Sequence, residues 1–197
     1  MNTSTAPRPP GRPRSSRADE AIIEAVLDLL AEGTAIEAMS MEAIAARAGV
    51  GKATIYRRWP HRNALLLDAI ATIKAPVQEL PGHSAREDLT IIARTIIAAH
   101  GTRQAQIMPC LVPELARNGE LSAGYQQMIE RRRDVTRAVV RRGIENGELR
   151  PDVDVELVVA LISGPLTMIL LGSAPPRLDI DGLAEHLIDV IFDGIAA

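Results

Sequence analysis

The seven consecutive residues from Lys52 to Arg58 hold an ammonium, a hydroxyl, a phenol and two guanidiniums, and His61 and Arg62 follow soon after. These side chains donate hydrogen bonds to phosphate oxygens and to the acceptor edges of bases, so the chemistry they offer is recognition of a polyanion. No catalytic set stands beside them. His61, His83, His100 and His186 are scattered without metal-ligand spacing, and Cys110 is the sole cysteine. The stretch Asp179-Ile180-Asp181-Gly182 lacks the further acids and closing glutamate of a calcium loop. Neither metal nor cofactor is expected; Asp152, Asp154, Asp179 and Asp181 read as helix caps.

To meet a duplex, the basic run must sit on a short exposed helix held at a fixed angle. Residues 40–62 read SMEAIAARAGVGKATIYRRWPHR and supply that arrangement. Ser40 is a good N-cap for a helix through Met41, Ile44 and Ala45 to about Ala48, and Gly49 can take the left-handed conformation of a tight turn. A third helix follows over Lys52 to Trp59 and stops at Pro60. Ile55 and Trp59, four apart, face inward, while Lys52, Ala53, Thr54, Tyr56, Arg57 and Arg58 look outward or sideways. Ahead of this pair, Ile22, Val26, Leu29 and Leu30 mark one face of a first helix from Asp19 to a stop at Gly33. Behind it, Leu65, Leu66, Ala69, Ile70 and Ile73 mark a fourth. With Ala45 and Ala48 allowing close approach and Ile44, Val50 and Ile55 as a buried clamp, the second and third helices describe a helix-turn-helix, and a helix of this kind fits the major groove.

The segment Ser40–Arg62, with its AGV turn, its Thr-Ile-Tyr core at 54–56 and Trp59 after two arginines, resembles the TetR family of transcriptional regulators. The likeness is close over the first four helices and elsewhere rests on helix count, length and order. It implies a homodimer whose two recognition helices enter successive major grooves of a palindromic operator in double-stranded DNA. It also implies repression by excluding polymerase, and a rear-domain cavity where a small-molecule effector releases the DNA. Carried over by position, phosphate contacts fall on Ser40 and Tyr56, the leading face of the recognition helix on Lys52, Ala53 and Thr54, and base or phosphate contacts on Arg57 and Arg58. Arg62 is expected to hold a phosphate at the start of the fourth helix, with His61 beside it. Two positions depart from the family pattern. Gly51 stands where many relatives have a serine cap, and Glu42 stands where some have a base-reading cation, so it either accepts from a cytosine amine or faces water.

The whole chain of 197 residues is 47% hydrophobic and 2% aromatic with a net charge of -3, which suits soluble domains with an aliphatic core and excludes a disordered or disulfide-stapled chain. Its charge is uneven: residues 1–62 are net basic and the remainder net acidic. A polyanion is drawn to the front and repelled by the rear. Residues 1–17 carry four arginines, four prolines and no acid, and read as a flexible basic arm. Within it Gly11-Arg12-Pro13 resembles a minor-groove hook, which makes Arg8, Arg12, Arg14 and Arg17 candidates for minor-groove or phosphate contact. No charged-then-apolar leader opens the sequence, and with one cysteine the expected location is a reducing cytoplasm.

The expected domains are therefore the arm at 1–17, the helix-turn-helix unit at 18–64 and a helical effector-binding and dimerisation domain at 65–197. Helical patterns recur at about 84–100, 122–146, 153–172 and 181–195, with a proline-interrupted stretch from Met108 to Arg117. The fold class is all-α with about nine helices. Leu157–Ser173 is uncharged, but it is too short for a membrane span and contains Pro165, which should kink a buried helix. Ala160, Gly164, Met168 and Gly172 form a low ridge which, with Leu183, Leu187, Ile191 and Ile195, is expected to build a four-helix dimer interface. Met108, Cys110, Tyr125, Met128 and Met168 are candidates for the cavity wall. Arg132 shares their stripe, where it either meets an anionic effector or escapes burial by snorkelling or pairing. The run Arg131, Arg132, Arg133 and the pair Arg141, Arg142, with Glu130, Asp134 and Glu145 interspersed, read as a mixed solvated face rather than a second DNA site. The alternative reading, a small helical enzyme or carrier using the rear cavity, finds no nucleophile, acid–base pair or phosphate loop.

Overall fold

The computed structural model describes residues 14–74, 79–173, 175 and 177–195. Among these residues there are nine α-helices and no β-strand: α1 (Arg14–Ala31), α2 (Met41–Arg47), α3 (Lys52–Arg58), α4 (Arg62–Ile73), α5 (Ala85–Ile97), α6 (Arg103–Arg117), α7 (Gly119–Glu145), α8 (Val155–Leu170) and α9 (Leu183–Ile195), with a 3-10 turn at Ile36–Ala38. The all-α class is as expected. Two boundaries differ. α1 begins at Arg14 rather than Asp19, so residues 14–17 belong to a helix and not to the arm. Residues 14–18 contain no proline or glycine, so the helix set by the apolar face downstream extends over them. α6 passes unbroken through Pro109 and Pro113. Both prolines lie four apart on the exposed face, so water can reach the carbonyls that lose their N–H partners.

Local chemistry ends the helices where it should. The Ser40 hydroxyl accepts from Ala43 N at 3.0 Å, and Gly49 has φ of +67° in the turn after α2. Asp154 caps α8 through Glu156 N and Leu157 N at 2.9 and 3.2 Å. Asp152 does not cap; its carboxylate lies 3.6 Å from the Arg150 guanidinium.

Two aliphatic cores result. The front core gathers Ile22, Val26 and Leu30 of α1, Ile44, Ile55 and Trp59 around the turn, and Leu66 and Ile70 of α4, and continues into Ile107 and Leu111 of α6 and Leu121 and Tyr125 of α7. The rear core joins Leu89 of α5, Val139 and Val140 of α7, Ile162 and Leu166 of α8, and Ile188 and Phe192 of α9. The 27-residue α7 serves both, spanning about 40 Å. Gly143 lets α7 press on α5, because a Cβ there would lie 2.8 Å from Ala85 Cβ. Fully buried Asp88 accepts from Gly82 N at 3.2 Å and from the Arg142 guanidinium, which fastens the preceding loop and α7 to α5. Polar clamps hold the front helices to the rest. Arg103 of α6 pairs with Glu24 at 2.6 Å and with Asp28, Arg117 with Glu37, and Asn63 Nδ2 donates to Glu120 at 2.6 Å.

Candidate nucleic-acid interface and cavity

α3 is seated by its two inward residues. Ile55 is fully buried and Trp59, buried just past the helix end, donates from Nε1 to Asp68 at 2.8 Å. That seating turns Lys52, Ala53, Tyr56, Arg57 and Arg58 to solvent, with Thr54 half-buried at the edge. Gly51 occupies the N-cap position without a side-chain cap. Three of these groups are engaged within the protein. Lys52 Nζ lies 3.1 Å from Glu42 of α2, and the Tyr56 hydroxyl donates to the same carboxylate at 3.5 Å. A backbone hydrogen bond and then the Lys52 ammonium hold that carboxyl below the usual range. Arg58 reaches back to Asp19 of α1 at 2.8 Å. Arg57 is the α3 cation with no carboxylate partner among the described residues, and its guanidinium stands in water.

The start of α4 is built differently from the phosphate seat expected there. Arg62 turns into the protein and donates to the carbonyls of Ile36 and Glu37 at 2.8 and 3.4 Å, bracing the 3-10 turn. His61 Nδ1 accepts from Ala64 N at 3.3 Å, so the ring caps the helix itself, and its Nε2 lies 3.5 Å from Glu120. A carboxylate so close repels a phosphate. Ser40 remains exposed beside α3 while its oxygen caps α2. Of the arm cations, Arg8 and Arg12 lie outside the described residues and Arg14 is described only as the first residue of α1.

Between the two cores lies a cavity of about 190 Å³, walled by the end of α4 and by α5, α6, α7 and α8. Of the residues proposed for the cavity wall, Met108, Tyr125 and Arg132 line this space, and Cys110, Met128 and Met168 do not. Cys110 and Met128 are half-buried against the front core, and Met168 is 46% exposed on the outer face of α8. The apolar stripe of α8 that turns inward is Val158, Ile162, Leu166 and Ile169, which leaves Met168 opposite it. Lys74, Gln104, Thr136, Ser163 and Thr167 are polar lining groups that no local sequence pattern marks. Lys74 Nζ donates to the Tyr125 hydroxyl at 3.3 Å and stands 5.3 Å from the ring centroid. Burial, and then the charge of Arg132, lower the Lys74 pKa to about 8. Burial pushes the Tyr125 phenol up and the Arg132 guanidinium down.

α8 shows a second exposed feature. Ala160, Gly164 and Gly172 are open to solvent along with Leu157, Leu161 and Met168. A Cβ added at Gly164 meets nothing within 4 Å. The α9 half of the expected interface is placed otherwise: Ile191 is buried in the rear core, and Leu183, Leu187 and Ile195 pack partly buried against it. α9 lies mainly on α5, and its outward face carries Val190, 72% exposed. Among the described residues no helix is long and apolar enough to cross a membrane.

Two family models match the chain: the one described as bacterial regulatory proteins, tetR family, over residues 22–69, and the tetracyclin repressor-like C-terminal domain over residues 82–192. The HTH-type transcriptional regulator YdeS of Bacillus subtilis is 32% identical over 191 residues, which cover 95% of this chain and 94% of that one. Among solved structures, the fold is similar to FadR from Bacillus subtilis in complex with stearoyl-CoA, with a TM-score of 0.68 at 20% identity over 89% of this chain and 98% of that one. It is also similar to a transcriptional regulator from Saccharomonospora viridis in complex with choline, with a TM-score of 0.68 at 22% identity over 92% and 99%.

Proposed function

Because the chain belongs to the TetR family of bacterial transcriptional regulators, we propose that it is a repressor that grips a palindromic operator as a homodimer and lets go when a small molecule fills its cavity. The observation that carries this reading is α3 itself: a seven-residue helix pinned by Ile55 and Trp59, presenting Lys52, Tyr56, Arg57 and Arg58 outward on a tight glycine turn. Arg57, with no internal partner among the described residues, is the first candidate for a base or phosphate contact. Arg58 and Lys52 exchange their carboxylates for DNA at little cost, since exposed ion pairs are weak. Ser40 and Tyr56 flank them as phosphate contacts, with Ala53 and Thr54 at the leading edge. Arg62 and His61 serve by holding α4 and the 3-10 turn in place. The open ridge of α8, with Leu157, Leu161 and Met168 around Gly164, supports pairing of two protomers, because a second helix can approach closely over small residues. One recognition helix per protomer then meets one half-site, one duplex turn from the other.

Retardation of the DNA upstream of the chain's own gene tests this directly. The wild-type protein should shift that fragment at low salt, with affinity falling steeply as salt rises because several phosphates are neutralised. Arg57→Ala should weaken the shift by about 1–3 kcal/mol. A folded protein that retards no fragment at low salt overturns the reading.

A further inference from the structure

We infer that the cavity between the two cores takes an anionic amphiphile, its acidic head held by Lys74 and Arg132 with Tyr125 and its tail against the α5 and α8 wall; this rests on reading the cavity as the effector site. Lys74, Arg132 and Arg133 line the space, and no aspartate or glutamate among the described residues does. The residues outside the described set carry no aspartate or glutamate either, so the sequence holds none in reserve. Arg133 is already neutralised by Glu130 at 2.6 Å, and Glu130 is shared with Arg137 at 2.9 Å. That leaves the Lys74 ammonium, whose described partner is the uncharged Tyr125 hydroxyl, facing the charge of Arg132 across a largely apolar chamber.

A buried cation beside another cation is unfavourable unless something negative joins them. Burial, and then the nearby charge of Arg132, lower the Lys74 pKa to about 8. A carboxylate or phosphate oxygen between the two heads relieves the repulsion and accepts charge-assisted hydrogen bonds. Ile92, Ile96 and Leu170 supply apolar wall beyond the polar end. The cavity of about 190 Å³ has room for a small amphiphile. Fold likeness does not decide the charge of the ligand: similar folds hold choline, a cation, and stearoyl-CoA, an anion. The lining residues decide it.

Octanoate, 1-octanol and octylammonium share one tail and differ in head, so calorimetry of the full-length protein with these three probes reads the head-group preference alone. Octanoate should bind about tenfold or more tightly than 1-octanol, and octylammonium should not bind. Lys74→Met and Arg132→Met should each remove most of that tenfold preference while leaving 1-octanol binding in place, which also shows that the variants are folded. At pH 8, octanoate binding should take up protons as Lys74 becomes fully charged, measured in buffers of different ionisation enthalpy. Equal binding of octanoate and 1-octanol, tighter binding of octylammonium, or no binding of octanoate overturns the inference. Operator release is scored separately. Octanoate that binds without freeing DNA leaves the ligand class standing and sinks the effector reading, whereas release by octylammonium does the reverse.

Discussion

Lys52 and Lys74 carry the same head group and do opposite things with it. Lys52 stands in water, loosely paired with Glu42, on a surface that the proposed dimer would double. Lys74 is tucked between two cores, close to Arg132 and Tyr125, in a chamber walled by five helices of a single chain. Solvent makes the first charge cheap to redirect toward a long polyanion; desolvation makes the second costly until a matching anion arrives. A cation's use is thus set by its dielectric surroundings and by the groups within reach of it.

The largest effect should come from removing the second protomer. Gly164→Leu adds a side chain where the protomer leaves open space, so folding is retained, and a helix of leucine in place of glycine gains up to about 1 kcal/mol. A partner can no longer approach the ridge. Sedimentation should then report a monomer, and operator affinity should fall by roughly 10²–10⁴-fold as the two-site advantage is lost. Octanoate binding should be unchanged, because the chamber needs only one chain. A Gly164→Leu protein that stays dimeric moves the interface elsewhere on the surface.

Next comes the crossing of two substitutions. Arg57→Ala should cost about 1–3 kcal/mol in operator binding and nothing in ligand binding; Lys74→Met should do the converse. If Lys74→Met alone weakens the operator complex of ligand-free protein, the two regions are not separable in the way their surroundings suggest.

What could be read in advance follows the same division. Ser40, Gly49, Ile55 and Trp59 were legible because caps, left-handed turns and one-sided burial are local, written within four residues of each other. The chamber was legible only in part: Met108, Tyr125 and Arg132 fall on readable helical patterns, whereas Lys74, Thr95, Gln104 and Ser163 join them only through tertiary packing, and a lone lysine closing an apolar run reads as a surface residue. Met168 and the α9 stripe show another limit. Periodicity marks Leu183, Leu187, Ile191 and Ile195 as one apolar stripe without saying what they pack on, and within the protomer Ile191 is buried in the rear core while the other three are partly buried against it. Arg62 looked like a phosphate ligand until the 3-10 turn at Ile36–Ala38, which no pattern announced, supplied carbonyls for it.

A smaller effect should separate the two lysines by pH. The folded-state pKa of Lys74, about 8, lies below its ordinary 10.5, so between these values the unfolded chain binds more protons than the native one. Stability therefore rises with pH across that window, and the full penalty is present below pH 8. Relative to wild type, Lys74→Met should gain roughly 1–3 kcal/mol at pH 7, and the gain should shrink as pH approaches 10. Urea midpoints at pH 7 and 9.5 read it. No comparable trend is expected from Lys52→Met, and a pH-independent gain at Lys74 would assign it to packing.

The smallest effect belongs to Glu42, the carboxylate that holds Lys52 and Tyr56 in the absence of DNA. A phosphate approaching α3 must displace it and meets its negative charge on the way. Glu42→Gln keeps the shape and a weak acceptor while removing that repulsion, so operator affinity at low salt should rise by less than about tenfold, equally for every operator variant, and the gain should fade as salt screens the charge. A loss confined to one base pair instead identifies Glu42 as a reader of that position, accepting from a cytosine amine. The two outcomes differ in sequence dependence rather than in size, so a panel of single-base operator variants decides between them even though the shift is modest.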